Sequence, residues 1–120
     1  MMEWRIETEG GPGVFVPEAL LFPLVEALGS LSLDPYRDRR FRPARLPEVL
    51  DRIRSAIQTR RRLHRRETLD GLNLRTWEDW ASGLLRSLEE NDGLLALLLE
   101  LEQLCDRARE EGKAIAVLCD

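Results

Sequence analysis

Twelve of the chain's seventeen arginines fall between Tyr36 and Arg66, and arginine at that density is suited above all to binding. A guanidinium makes forked hydrogen bonds to carboxylate or phosphate and stacks on flat rings. Arg37, Arg39, Arg40, Arg42 and Arg45 stand beside Tyr36 and Phe41, and Arg60, Arg61, Arg62, Arg65 and Arg66 follow in a tight group. Arginines interleaved with aromatics suit a single-stranded nucleic acid; arginines alone suit any acidic surface.

The block is set in an otherwise acidic protein. Residues 35–66 hold the twelve arginines against Asp38, Glu48 and Asp51, a balance of +9, while residues 1–34 sum to −5 and residues 67–120 to −8. The whole chain stands at −4, with a pI near 5.1. Helical spacing offers Glu48 to Arg52 and Asp51 to Arg54 as local partners, but the five arginines from Arg60 to Arg66 have only Glu67 nearby in sequence. Like charges one turn apart repel by a few tenths of a kcal/mol per pair, so this group needs compensation from elsewhere. Three sources can supply it: the protein's own acidic helix faces in residues 78–111, an acidic protein partner, or nucleic acid. The net negative charge counts against nucleic acid, whose binding domains usually carry a positive field.

Catalytic and metal chemistry find little footing. His64 is the chain's one histidine, so no pair of imidazoles can hold a metal, and a Cys/His or Ser/His pair would have to recruit it from an arginine-rich setting. Glu89-Glu90, Glu100/Glu102 and Glu110-Glu111 fall at helix ends or on solvent faces, with nothing in their spacing to converge them in a cleft. Gly10-Gly11-Pro12-Gly13 lacks the Gly-Lys-Ser/Thr ending of a phosphate loop and leads into a strand instead. Cys105 and Cys119 sit in apolar runs, as reduced core cysteines do, with one bridge between them as the alternative. The expectation is therefore no enzyme, no metal and no cofactor.

The elements that must position the arginines are legible from periodicity. Residues 3–8 alternate as a half-buried strand, residues 10–13 turn, and Val14-Phe15-Val16 returns as the second strand of a hairpin. Pro17 opens a helix with Leu20, Leu21, Leu24 and Leu28 on one face and Gly29 as its stop; Pro23 should kink or restart it. Residues 30–47 hold Pro35, Pro43 and Pro47 without a period and read as a long irregular connection. From Leu46 a helix carries Val49, Leu50, Ile53, Ala56 and Ile57 inward. Past Ile57, Arg60 and His64 occupy the stripe that was apolar, so the last turns either protrude or face acidic groups. Asp70-Gly71 marks a turn.

Thr76 and Asp79 form a capping box before a helix with Trp77, Trp80, Ala81, Leu84, Leu85 and Leu88 on one face, broken by Asn91-Asp92-Gly93. A final helix from about Leu94 to Glu111 buries Leu94, Leu97, Leu98, Leu101, Leu104, Cys105 and Ala108, and Gly112 follows it. Leu95 and Leu99 fall on its flank, either under a second layer or as an apolar interface for a partner or another copy. Residues 114–119 form a continuous apolar run, the pattern of a strand covered on both faces.

One α+β domain over residues 1–120 follows, in which the hairpin and the last strand make a small sheet packed with about four helices, the Trp77 and Leu94 helices pairing antiparallel at the centre. No stretch approaches the ~20 apolar residues of a membrane span, and no leader pattern opens the chain, so a cytoplasmic protein is expected. Arginine exceeds lysine 17 to 1, a usage suited to a high-GC bacterial source. The function expected is that of a small interaction protein, immunity- or antitoxin-like or regulatory, that binds an acidic protein through residues 37–66. A nucleic-acid module using the same arginines on phosphates is the alternative, and self-association through Leu95 and Leu99 is allowed.

Overall fold

The structure is a computed structural model that describes residues 2–8, 10–71 and 91–119, with side chains described up to residue 66 in the second stretch. Among these, the elements run β1 (Met2–Ile6), β2 (Gly13–Val16), α1 (Glu18–Ala27), β3 (Arg39–Phe41), α2 (Leu46–Gly71), α3 (Gly93–Glu111) and β4 (Ile115–Cys119). The class is α+β: an antiparallel sheet of order β2-β1-β4-β3 with helices on one face. The described residues hold three α-helices. The fourth one expected, with Trp77, Trp80 and the Thr76/Asp79 box, lies outside them, and the helix pair that the structure shows packed together is α2 with α3.

The sheet is built on alternation. Met2, Trp4 and Ile6 of β1 point to the helices and are fully buried, opposite Val16 and Val14 of β2 and Cys119, Val117 and Ile115 of β4. The last strand sits between β1 and β3, so sequence-distant segments form the middle of the sheet. Its apolar run is covered on one face only: Ile115 and Val117 are buried, whereas Leu118 is 41% exposed. That corrects the expectation of a doubly covered strand, because the helices occupy a single side and an antiparallel sheet tolerates a wet face.

The connection expected to be irregular also holds a strand. β3 spans three residues, too few for alternation to register, and it pairs Arg39 with Val117 and Phe41 with Ile115. Phe41 turns fully inward, its ring centroid 5.7 Å from that of Trp4, and the Arg39 and Arg45 guanidinium carbons lie 5.3 and 5.9 Å from its ring centre. Short 3-10 turns at Gly29–Leu31 and Pro43–Arg45 flank it.

Helix boundaries follow capping chemistry. α1 starts directly after Pro17 and continues through Pro23 without restarting. α3 ends at Gly112, whose φ of +67° favours glycine, and Lys113 N–H closes on Ala108 O at 2.9 Å while Gly112 N–H closes on Arg109 O at 3.2 Å. α2 extends past the expected Asp70-Gly71 turn to include both residues. Its Leu46, Val49, Leu50, Ile53, Ala56 and Ile57 stripe packs with Leu94, Leu97, Leu98, Leu101 and Leu104 of α3 in one core cluster.

Candidate functional site

The inward stripe of α2 does not end at Ile57; it changes chemistry. Arg60 and His64 continue the same face one and two turns on, and both meet Asp92 at the start of α3. Asp92 is the N-cap of that helix. Its Oδ1 accepts the Leu95 N–H at 3.1 Å, satisfying a donor that the first helical turn leaves open. Its Oδ2 accepts Arg60 Nε and Nη2, both at 2.8 Å, and lies 2.6 Å from His64 Nε2.

The carboxylate and the imidazole are buried, with Asp92 7% and His64 6% exposed, while the Arg60 side chain keeps 31%. Burial alone would raise the Asp92 carboxyl, but the hydrogen bonds from His64, Leu95 and Arg60 and the charge of Arg60 outweigh it and hold the group below its ordinary 3.8. A shallow cleft beside the cluster is bounded by Leu20, Pro23, Asn91 and Leu94.

Five of the segment's other arginines also have internal partners. Arg54 reaches across to α3, 3.2 Å from Glu102 and 3.8 Å from Asp106. Arg40 Nε donates to both oxygens of Glu7 at 2.8 Å, tying β3 to the end of β1, and Arg39 donates to Ser32 O at 2.9 Å. Arg45 pairs with Glu48 at 3.5 Å, and Arg37 lies 3.6 Å from Asp34 with 84% of its side chain exposed. The expected Glu48/Arg52 and Asp51/Arg54 pairs are not formed: Arg54 prefers acids on the neighbouring helix, and the buried Arg52 Nε has no hydrogen-bond partner among the described residues.

Arg42, Arg61, Arg62, Arg65 and Arg66 remain. All five are exposed and make no ion pair among the described residues. The last four form two i, i+4 rows, Arg61 over Arg65 and Arg62 over Arg66, with Gln58 beside Arg61, Arg62 and Arg65 in a shallow surface depression. At 100° per residue the Arg62/Arg66 row lies opposite the buried stripe of α2 and the Arg61/Arg65 row on its flank. The sequence reading grouped Arg60 with this set; the structure separates it, because only position 60 shares the core-facing stripe.

Of the two readings of Leu95 and Leu99, a covering layer or an apolar interface, their burial agrees with the first. Leu95 is 2% exposed within the core cluster and Leu99 packs half-buried against it, since α3 is enclosed along that flank as well as its main stripe. Apolar exposure lies elsewhere, at Phe15, Phe22, Tyr36, Leu63 and Leu118.

Asp92 is the residue that sequence reasoning missed. Asn91-Asp92-Gly93 has the composition of a break, yet an Asp just before an apolar-periodic helix is an N-cap signal and an N-cap carboxylate has a second oxygen to offer. Among the described residues, no group of three or more His, Cys, Asp or Glu converges to hold a metal ion, and no helix is long and apolar enough to cross a membrane. Cys105 and Cys119 are free thiols. No protein-family model matches the chain, nor does any curated protein or solved structure.

Proposed function

We propose that this is a non-enzymatic interaction protein that binds an acidic protein surface through the arginine face of α2. The observation that carries the reading is the division within α2: Arg54 and Arg60 find carboxylates on or at the start of α3, while Arg61, Arg62, Arg65 and Arg66 are exposed and make no ion pair among the described side chains. Four guanidinium groups in two helical rows repel one another, and a ligand that brings carboxylates relieves that repulsion on binding. Arg42 and the loosely held Arg37 are further cations of the same segment. An immunity-, antitoxin-like or regulatory role, in which a small protein covers one partner by charge complementarity, fits this surface. The net charge of −4 favours a protein over a nucleic acid as the ligand.

The test is capture from host lysate, with and without nuclease, by the wild type and by a variant with Arg61, Arg62, Arg65 and Arg66 changed to Ser. An acidic protein that survives nuclease and is lost with the variant supports the reading. Material lost on nuclease treatment identifies a nucleic-acid ligand instead. Equal capture by both proteins removes the α2 face from consideration.

A further inference from the structure

The two edges of the sheet are unlike. β3 carries Arg39 and Arg40, and charge on an edge strand discourages further pairing. β2, at the other edge, reads Gly-Val-Phe-Val, with no charge, no internal proline and Phe15 60% exposed. The ladder shows which of its main-chain groups look outward. Ile6 N–H donates to Pro12 O at 3.2 Å and Glu7 N–H to Ala114 O at 2.9 Å. By the alternation of an antiparallel pair, Val14 and Val16 exchange bonds with β1, and the N–H and C=O of Gly13 and Phe15 point away from the sheet.

A groove runs beside this edge, floored by Gly13 and Val14 and walled by Glu100, Gln103, Leu104 and Arg107 of α3. These wall residues fall at i, i+3, i+4 and i+7, a single helix face with an acid at one end, a base at the other and an amide and a leucine between. Turned end for end, the pattern sets its acid opposite its base.

We propose that β2 and this face of α3 form the interface between two copies of the chain, joined antiparallel about a two-fold axis at Val14. Gly13 of each copy then stands opposite Phe15 of the other and exchanges both main-chain bonds with it. The axis is normal to the sheet, so both helix layers stay on one side and α3 runs antiparallel to α3 of the second copy. Glu100 is thereby brought opposite Arg107 of the second copy, twice by symmetry. Arg107 now holds Glu111 at 3.2 Å with most of its side chain exposed, an arrangement that costs little to give up. The interface is isologous and closes at two copies. It leaves the outward arginines of α2 uninvolved.

Sedimentation velocity over a dilution series of the full chain tests this, with circular dichroism to confirm folding of each variant. The wild type is expected to show a concentration-dependent dimer. Phe15→Lys, Glu100→Arg and Arg107→Glu should each raise its Kd about tenfold or more, and Glu100→Arg/Arg107→Glu together should restore it. A wild type that stays monomeric overturns the proposal, as does a dimer indifferent to Phe15→Lys or a double variant no better than the singles.

Discussion

His64 Nε2 and Asp92 Oδ2 lie 2.6 Å apart, joining the C-terminal half of α2 to the N-cap of α3, 28 residues later. With Arg60 on the same oxygen, this contact converts what reads as an over-charged helix end into a buried junction between α2 and α3. The polar stripe is the continuation of the apolar one, facing a carboxylate where leucines would face leucines.

Asp92→Ala should therefore cost far more than a surface substitution. It removes a helix cap and leaves a guanidinium and an imidazole without their buried acceptor, together about 3 kcal/mol. Asp92→Asn keeps an oxygen for Leu95 N–H and should cost less. Urea unfolding curves of the two variants check both the size and the order.

The same carboxyl sets a dependence on acid. Its folded pKa lies below the ordinary 3.8, so the native state binds its proton less readily than the unfolded chain does. Its contribution is complete above that ordinary value and is lost as pH falls through the lower folded one. The difference in unfolding free energy between wild type and Asp92→Asn should accordingly narrow as the solution is acidified through this range. A gap that widens under acid would reverse the sign assigned to the cluster.

Phe41 tests whether β3 belongs to the sheet. Its side chain is fully buried against Trp4, so Phe41→Ala should destabilise by about 3–5 kcal/mol, the cost of a large core cavity. Tyr36, 71% exposed five residues earlier, should tolerate Tyr36→Ser to within about 0.5 kcal/mol. Thermal or urea unfolding of both variants separates a strand anchor from a loop aromatic.

The two thiols should differ in reactivity. Burial pushes the Cys105 thiol up to about 12, leaving almost no thiolate at neutral pH. Cys119 is raised as well, first by burial and then by Asp38, but it is only half-buried. Alkylation followed by peptide mass analysis should label Cys119 first, with Cys105 reacting only on unfolding.

The hairpin, the core stripe of α2 and the bounds of α3 were legible in the sequence because period, Pro17 and Gly112 all agree with their surroundings. β3 was hidden because three residues are too short to show alternation and two of them are arginines. The covering of β4 was misread because a continuous apolar run has the same composition whether one face or both are packed. For the arginines, the failure of the stripe at Arg60 and His64 was visible, and facing an acidic group was one of its two readings. Which acid it was could not be read, since Asp92 is distant in sequence and its neighbours look like a break.

The division of α2 into an inward pair and an outward arginine face is tested most directly by titrating a captured partner against two variants of equal net solubility: Arg60→Ser, and the fourfold change of Arg61, Arg62, Arg65 and Arg66 to Ser. The fourfold variant should lose affinity by more than about tenfold while unfolding at the wild-type denaturant concentration, and Arg60→Ser should bind as wild type yet unfold earlier. A fourfold variant that binds with undiminished affinity would contradict the assignment of this face as the contact surface.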